Sequence, residues 1–281
     1  MKAKIFALFL LILMFFSTGV FAQEYKRIVS LAPSVTESLY ELGVDDTVIA
    51  TTIYCPKGKN NKEIIGTLLE PDIEKIIELE PDLIVATKEG NSKDAVEKIE
   101  RLGLNVFVME TSQSFKEICN NFKLLAEKIG KEEEAAEIIT KAGDDILAVY
   151  SRAVFMPRES IFWEVGAKPL YTAGRQSFVN DYNMYTATTN LYYDIDSRYP
   201  SVSIEDVIER NPEIIILVNM GDISSEEIKN WKKYRTVSAV QGNRIYMIDA
   251  NDIFTPTPST FAKGVKMLAK TLFPEAFAGD K

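Results

Sequence analysis

A repeated segment constrains the fold of this chain more than any other feature of its sequence. DIEKIIELEPDLIV, at residues 72–85, matches SIEDVIERNPEIII, at residues 203–216, position for position and without a gap. Each copy begins with a residue that commonly caps a helix, and a proline just before an apolar run ends the helical pattern. Each copy therefore predicts a short helix followed by a buried strand. Solenoid proteins have shorter periods and more copies, so two copies roughly 130 residues apart favour two related lobes.

Short apolar runs alternate with amphipathic stretches on both sides of the middle of the chain. Strands that alternate with helices are typical of parallel βαβ units. The expected helices cover Ser34 to Gly43, Lys93 to Leu102 and about Ser259 to Leu272. The expected strands are RIVSL, VIATT, DLIVAT and NVFVMET in the first half, and IFWEV, PLYTA, EIIILV and RIYMID in the second.

The middle of the chain has no strand pattern. Between Phe115 and Val154 apolar residues recur at spacings of three and four, and Lys131 is followed by three glutamates of the kind that open helices. We therefore expect an α/β fold of two pseudo-symmetric lobes, joined by a long backbone helix, with a ligand cleft between them. The expected divisions are an N-terminal lobe at 23–130, a connecting helix at 131–156 and a C-terminal lobe at 157–281.

Residues 1–22 have the pattern of a secretory signal peptide. A basic start precedes an apolar run from Ile5 to Phe16, and small residues precede the expected cleavage site after Ala22. A lipoprotein needs a cysteine directly after that site, and Gln23 stands there. We therefore expect a cleaved chain that is exported to the periplasm without lipidation. An uncleaved anchor is disfavoured because the apolar run is too short to span a bilayer comfortably.

Histidine is absent from the chain, and the formal net charge is −9. The first observation excludes Ser-His-Asp and Cys-His catalysis, histidine-ligated zinc and an axial histidine on haem. The second disfavours nucleic acid as a partner, because an acidic surface repels phosphates. An exported, acidic, two-lobed protein is most simply a solute receptor, and we expect a monomer.

Whether Cys55 and Cys119 form a disulfide stays open, because sequence does not show the distance between them.

Candidate ligand contacts follow the expected strands, because α/β sheets bind ligands beyond the carboxyl ends of their strands. Most of the residues there are aromatic or small. They are Tyr54, Thr87, Tyr171, Tyr199 and Phe254. For the tyrosines, an ordinary half-buried position at a strand end is the alternative interpretation.

From SLAPSVTE at residues 30–37 onwards, the chain resembles the periplasmic metal-chelate-binding proteins of ABC importers. The resemblance continues through TTIYCP, EPDIEKIIELEPDLIVA, LYTAGRQSF, YPSVSIEDVIERNPEIIIL and NRIYMIDAND. It covers essentially the whole chain after the leader. It implies two α/β lobes bridged by one long helix, no catalytic residues, and delivery of cobalamin, a ferric siderophore or haem to a membrane permease. The bound chelate brings its own metal, so no cofactor and no protein metal site is expected.

The resemblance also implies roles for particular residues. Glu74 and Glu205, each two positions after the cap of a repeat copy, fall where the family carries one acid per lobe tip for docking on the permease dimer. Without the resemblance, both would be acids favoured by the helix dipole. Tyr171 and Tyr199 fall where cobalamin-binding relatives carry aromatic cleft residues, and Leu68 falls at a position that is aromatic in some of them.

The resemblance also bears on the charge of the ligand. Residues 253–260, IFTPTPST, lack an arginine that relatives often carry there, which weighs against an acidic siderophore or haem. Arg175 is the remaining cationic candidate, with a solvated loop position as its alternative. We therefore expect a corrinoid, with a ferric siderophore and then haem as alternatives. An exported glycosidase with paired carboxylates and an adhesion module are the rival classes, and no pair of carboxylates stands out for the former.

Overall fold

The N-terminal lobe is built on a five-stranded parallel sheet. A computed structural model describes residues 24–219 and 225–279, so the expected leader lies outside the described residues. The strand order is β3-β2-β1-β4-β5, and every neighbouring pair is parallel. Both faces of the sheet are covered by apolar clusters, which explains why its strands appear as continuous apolar runs. Its elements are β1 (Ile28–Ser30), α1 (Pro33–Glu41), β2 (Val48–Thr51), β3 (Glu63–Ile64), α2 (Ile73–Glu78), β4 (Leu83–Thr87), α3 (Lys93–Arg101) and β5 (Val106–Met109).

Two helices, α4 (Phe115–Ile129) and α5 (Glu132–Ala153), connect the lobes. The helical middle of the chain is therefore two helices, because Gly130 ends α4 in the left-handed conformation at φ 70° before α5 begins. The 22 residues of α5 extend over about 33 Å. The N-terminus of α4 already contacts the C-terminal lobe, since the backbone N–H of Phe115 donates to Asp181 at 2.6 Å.

The C-terminal lobe contains a four-stranded parallel sheet in the order β11-β10-β6-β9. Helix α11 packs along α5 and joins the lobe to the connection. The expected strand PLYTA is only two residues long and belongs to a separate antiparallel hairpin, β7-β8. The elements are β6 (Ser160–Glu164), β7 (Gly166–Ala167), β8 (Leu170–Tyr171), α6 (Val179–Tyr185), β9 (Thr189–Asn190), α7 (Ile204–Arg210), β10 (Ile214–Asn219), α8 (Ser225–Trp231), α9 (Ser238–Gln241), β11 (Ile245–Asp249), α10 (Ala250–Ile253) and α11 (Pro258–Leu272).

The two repeat copies fold alike, which confirms the expected helix and strand in each. The side chains of Asp72 and Ser203 cap α2 and α7 by accepting backbone N–H bonds of 3.0 and 3.1 Å. Glu80 and Asn211, each directly before the proline, both adopt left-handed φ angles of 43° and 52°. The strands that follow, β4 and β10, are each flanked by two parallel strands. The lobes therefore share a core of helix, left-handed turn and central strand.

None of the helices within the described residues combines the length and apolarity that crossing a bilayer requires.

A candidate ligand-binding cleft between the lobes

A cavity of about 580 Å³ lies between the two lobes. Its volume falls within the range of about 300–1,000 Å³ that is typical of small-molecule sites. The N-terminal lobe lines it mainly from the segments that follow β1, β4 and β5, and the C-terminal lobe adds residues near β8, before α7 and between β11 and α11. The cavity thus lies beyond the carboxyl ends of several parallel strands, where α/β sheets position ligands.

The cavity brings together five of the seven residues that the sequence suggested as ligand contacts. Leu68 and Thr87 line it from the N-terminal lobe, and Tyr171, Tyr199 and Phe254 line it from the C-terminal lobe. The rings of Tyr199 and Phe254 have their centroids 6.1 Å apart, so they form one continuous aromatic wall. Their contact with a ligand stays a prediction.

The structure places Tyr54 and Arg175 elsewhere. Tyr54 lines an adjoining, more polar cavity of about 490 Å³, which shares Pro33, Asn251 and Thr255 with the first. The guanidinium of Arg175 donates to the carbonyl oxygens of Tyr193 and Asp194, at 3.1 Å in both cases, and lines neither cavity. The structure therefore places Arg175 outside both cavities, with two of its guanidinium nitrogens bonded to backbone carbonyls.

Asn91 organises the N-terminal side of the cavity and was missed in the sequence. Its side-chain amide donates to the carbonyls of Leu31 at 2.8 Å and Leu68 at 3.0 Å, and its side-chain oxygen accepts from the backbone N–H of Thr87 at 2.9 Å. One side chain therefore ties together three segments that line the cleft. No local pattern identifies such a residue, because its partners are distant in sequence.

The wall of the cavity is acidic. Glu89 and Glu110 line it, and among the described residues that line it there is no lysine or arginine. Glu110 pairs with Lys88 at 2.5 Å on the exposed side of the N-terminal lobe. Glu89 pairs with Arg198 of the C-terminal lobe. Burial raises the pKa of Glu89, although Arg198 acts in the opposite direction.

A second polar contact joins the lobes. The hydroxyl of Thr257, which lines the cavity, donates to Oε1 of Glu41 at 2.7 Å. Glu41 belongs to α1 and Thr257 caps α11, so the bond connects the two lobes directly. Burial raises the pKa of Glu41, and the hydrogen bond from Thr257 opposes the shift.

Glu74 and Glu205 lie far from this chemistry, in the first turns of α2 and α7. Both are exposed. Within residues 24–219 and 225–279, neither forms an ion pair.

No group of three acidic or cysteine side chains in the described part of the chain could hold a metal ion. Cys55 and Cys119 are both free thiols in this structure.

Two lobes of parallel α/β structure, a helical connection and an interlobe cleft define a bilobal solute-binding protein. The chain belongs to the periplasmic binding protein family, which it matches over residues 28–251. The match confirms the expected fold class and the family that the sequence motifs indicated.

Individual relatives agree with this assignment. The chain is 27% identical over 263 residues to YvrC of Bacillus subtilis, an ABC transporter substrate-binding lipoprotein, covering 91% of this chain and 82% of YvrC. A possible iron-binding, periplasmic solute-binding protein of Staphylococcus epidermidis matches with a TM-score of 0.80 at 27% identity, covering 89% of this chain and 100% of that structure. The vitamin B12-binding protein BtuF of Vibrio cholerae matches with a TM-score of 0.75 at 26% identity, covering 88% and 96%.

Proposed function

We propose that this chain is the substrate-binding protein of an ABC importer and that its ligand is a corrinoid such as cobalamin. The observation that carries the proposal is the interlobe cavity, with an aromatic wall, two carboxylates, and no lysine or arginine among its described lining residues. The likeness to a vitamin B12-binding protein over most of the chain supports the same ligand class. The protein binds and delivers its ligand, and it does not transform it.

The charge of the cavity favours a ligand whose ring periphery carries no carboxylates. Haem carries two propionates, and many siderophores carry acidic groups, so both need cations that this wall does not offer. Bringing a carboxylate into a partly desolvated site beside Glu89 and Glu110 is unfavourable unless a cation compensates it. The periphery of a corrinoid carries neutral amides instead, and polar groups such as Ser34, Asn251 and Thr255 can pair with them.

The chemistry of the metal points in the same direction. The chain contains no histidine, so it has no imidazole to offer to a metal centre. A corrinoid already holds its cobalt in the ring, and the protein needs only to bind the faces and edges of the macrocycle. Tyr171, Tyr199 and Phe254 offer aromatic surface for one face, and the adjoining polar cavity has room for the part of the ligand outside the ring.

The family supports a permease partner and a location outside the cytoplasm, and the docking residues and the cleaved leader are our own proposals. We assign permease docking to Glu74 and Glu205, since the two acids are exposed and occupy matched positions of the repeat. Charge-assisted pairs with arginines on a two-fold permease would use one acid from each lobe. Export through a leader cleaved after Ala22, without lipidation, remains our proposal for the location of the chain.

The second candidate is a ferric chelate, which the likeness to a possible iron-binding protein favours.

Calorimetric titration separates the corrinoid from the ferric chelate. We expect one-to-one binding of cobalamin with a Kd at or below about 1 μM, which corresponds to about −8 kcal/mol. Tyr199→Ala should weaken binding by about 1–3 kcal/mol. Tyr193→Ala is the matched control, since this tyrosine is 56% exposed and lines neither cavity. Absence of heat with every corrinoid, together with tight binding of a ferric siderophore, would overturn the ligand assignment.

A further inference from the structure

An ion pair bridges the two lobes beside the cavity. Arg198 lies between β9 and α7 of the C-terminal lobe, and its Nη2 donates to the carboxylate of Glu89, in the segment after β4 of the N-terminal lobe. The same nitrogen donates to the carbonyl oxygen of Ser112 at 3.1 Å. The side chains of Arg198 and Glu89 are 21% and 32% exposed. The guanidinium is thus held by two acceptors of the opposite lobe.

One member of this pair belongs to the wall of the cavity, and the other lies behind it. Glu89, Ser112 and Tyr199 all line the cavity, whereas Arg198 does not. The guanidinium carbon lies 5.3 Å from the centroid of the Tyr199 ring. The guanidinium of Arg198 is therefore separated from the cavity by three residues that it contacts, Glu89, Ser112 and Tyr199. Among them, the carboxylate of Glu89 neutralises its charge.

The pairing has a consequence for the charge of the ligand. A guanidinium binds carboxylates and phosphates strongly when its donors are available, because its planar fork matches both groups. Here Nη2 is bonded to the carboxylate of Glu89 and the carbonyl oxygen of Ser112, and Nε is buried without a hydrogen-bond partner among the described residues. An anionic ligand in the cavity therefore meets the carboxylate of Glu89 directly, while the guanidinium of Arg198 lies behind it and does not line the cavity.

We propose that Glu89 is a specificity-determining residue: by holding Arg198 across the cleft, it makes the cavity reject anionic chelates and accept neutral ones. This inference rests on the proposed function and names the charge class of its ligand. Removing the negative charge at residue 89 releases the positive charge of Arg198 to the cavity and admits ligands with carboxylates.

Glu89→Gln tests the inference, because glutamine keeps the size and an oxygen acceptor but removes the charge. The probes are cobyrinic acid heptaamide, whose rim carries amides, and cobyrinic acid, the same macrocycle with carboxylates in place of those amides. The measured quantity is the ratio of their dissociation constants. We expect the wild-type protein to bind cobyrinic acid at least 100-fold more weakly than the heptaamide. Glu89→Gln should narrow that ratio by about tenfold or more, equivalent to about 1.4 kcal/mol.

Two further variants separate release of Arg198 from a simple change in net charge. Glu110→Gln removes the other carboxylate of the wall, but its partner Lys88 is 57% exposed and already solvated, so the ratio should narrow by less than about threefold. In the double variant Glu89→Gln/Arg198→Gln the gain should disappear. An equal gain in Glu89→Gln and Glu110→Gln, or a gain that persists without Arg198, would overturn the inference.

The design also distinguishes failure of the proposed function. If the wild-type protein binds no corrinoid, the corrinoid assignment fails, and the same variants are then titrated with a neutral ferric hydroxamate and an anionic ferric catecholate. A gain for the anionic chelate in Glu89→Gln, lost in the double variant, supports the inference independently of the corrinoid. No gain for either anionic probe overturns it.

Discussion

The indole N–H of Trp231 donates to Oε2 of Glu164 at 2.6 Å inside the C-terminal lobe. Glu164 is the last residue of β6 and is fully buried, and its other carboxylate oxygen has no hydrogen-bond partner among the described residues. Burial raises the pKa of Glu164 from 4.5 to about 7, the bond from Trp231 acts in the opposite direction, and Glu227 adds to the rise. The core of this lobe therefore contains a carboxyl group that titrates near neutral pH.

The first prediction follows from that pKa. Between pH 4.5 and about pH 7 the folded chain keeps a proton on Glu164 that the unfolded chain has released, so the free energy of unfolding falls as the pH rises through this range. Glu164→Gln removes the titration. We expect wild-type stability, relative to this variant, to fall by on the order of 2–3 kcal/mol between about pH 5 and pH 8.5, measured by urea denaturation. A difference that stays constant with pH would contradict the assignment.

The second prediction concerns docking. Charge reversal at both Glu74 and Glu205 should abolish binding to the cognate permease, because each broken charge pair costs about 2–5 kcal/mol. Cobalamin affinity should be unaffected, since both residues lie outside the cavity. Glu78 and Glu209 provide the control, as they are exposed acids at matched positions later in α2 and α7. Normal permease binding by the first pair, or loss of binding by the second, would refute the docking assignment.

The third prediction compares the two left-handed residues of the repeat. A residue other than glycine carries about 1–2 kcal/mol of strain in the left-handed conformation, and glycine carries none. Glycine loses more chain entropy on folding, which offsets about 0.5–1 kcal/mol of that gain. Glu80→Gly should therefore stabilise the protein by about 0.5–1 kcal/mol. Asn211→Gly should instead destabilise it by about 1 kcal/mol, because Asn211 exchanges hydrogen bonds of 2.8 and 2.9 Å with Ser238. Chemical denaturation of both variants measures the contrast, and equal effects would show that the turns are not energetically distinct.

The fourth prediction concerns the thiols. Both thiols are partly exposed, the thiol of Cys55 lies 3.2 Å from the Thr52 hydroxyl, and burial raises the pKa of Cys119 to about 12. A thiol reagent near pH 8 should therefore modify Cys55 faster than Cys119 in the folded protein, and the two at similar rates after unfolding. Cys55→Ser should remove the fast phase alone. Failure to detect two thiols in unfolded, unreduced protein would indicate a disulfide instead.

The parts of the fold that depend on local pattern were predictable from the sequence. The caps at Asp72 and Ser203, and the central strands behind each proline, follow from residues within one short segment. The opening of a helix near Lys131 was predicted from the three glutamates that follow it, whereas the left-handed cap of the preceding helix at Gly130, with φ 70°, appears only in the structure. The length of the β7-β8 hairpin likewise depends on tertiary pairing and not on the composition of PLYTA.

The candidate site was less accessible to sequence reasoning. Aromatic residues after strands were found because parallel sheets place those segments at one edge. Arg198 and Glu89 were not found, because they are 109 residues apart and neither belongs to a motif. Arg175 was predicted as a cleft cation because residues 253–260 contain no arginine. Only the structure shows that its guanidinium donates to the carbonyl oxygens of Tyr193 and Asp194.

The helical connection between the lobes has a mechanical consequence. A continuous 22-residue helix that packs against α4 and α11 bends little without a proline or an inserted water, so it resists wide opening of the cleft. We therefore expect the distance between α2 and α7 to stay nearly the same in the empty and the loaded protein. A permease that recognises both tips cannot measure occupancy from their separation. It has to sense the ligand itself at the mouth of the cleft, or small rotations of one lobe against the other.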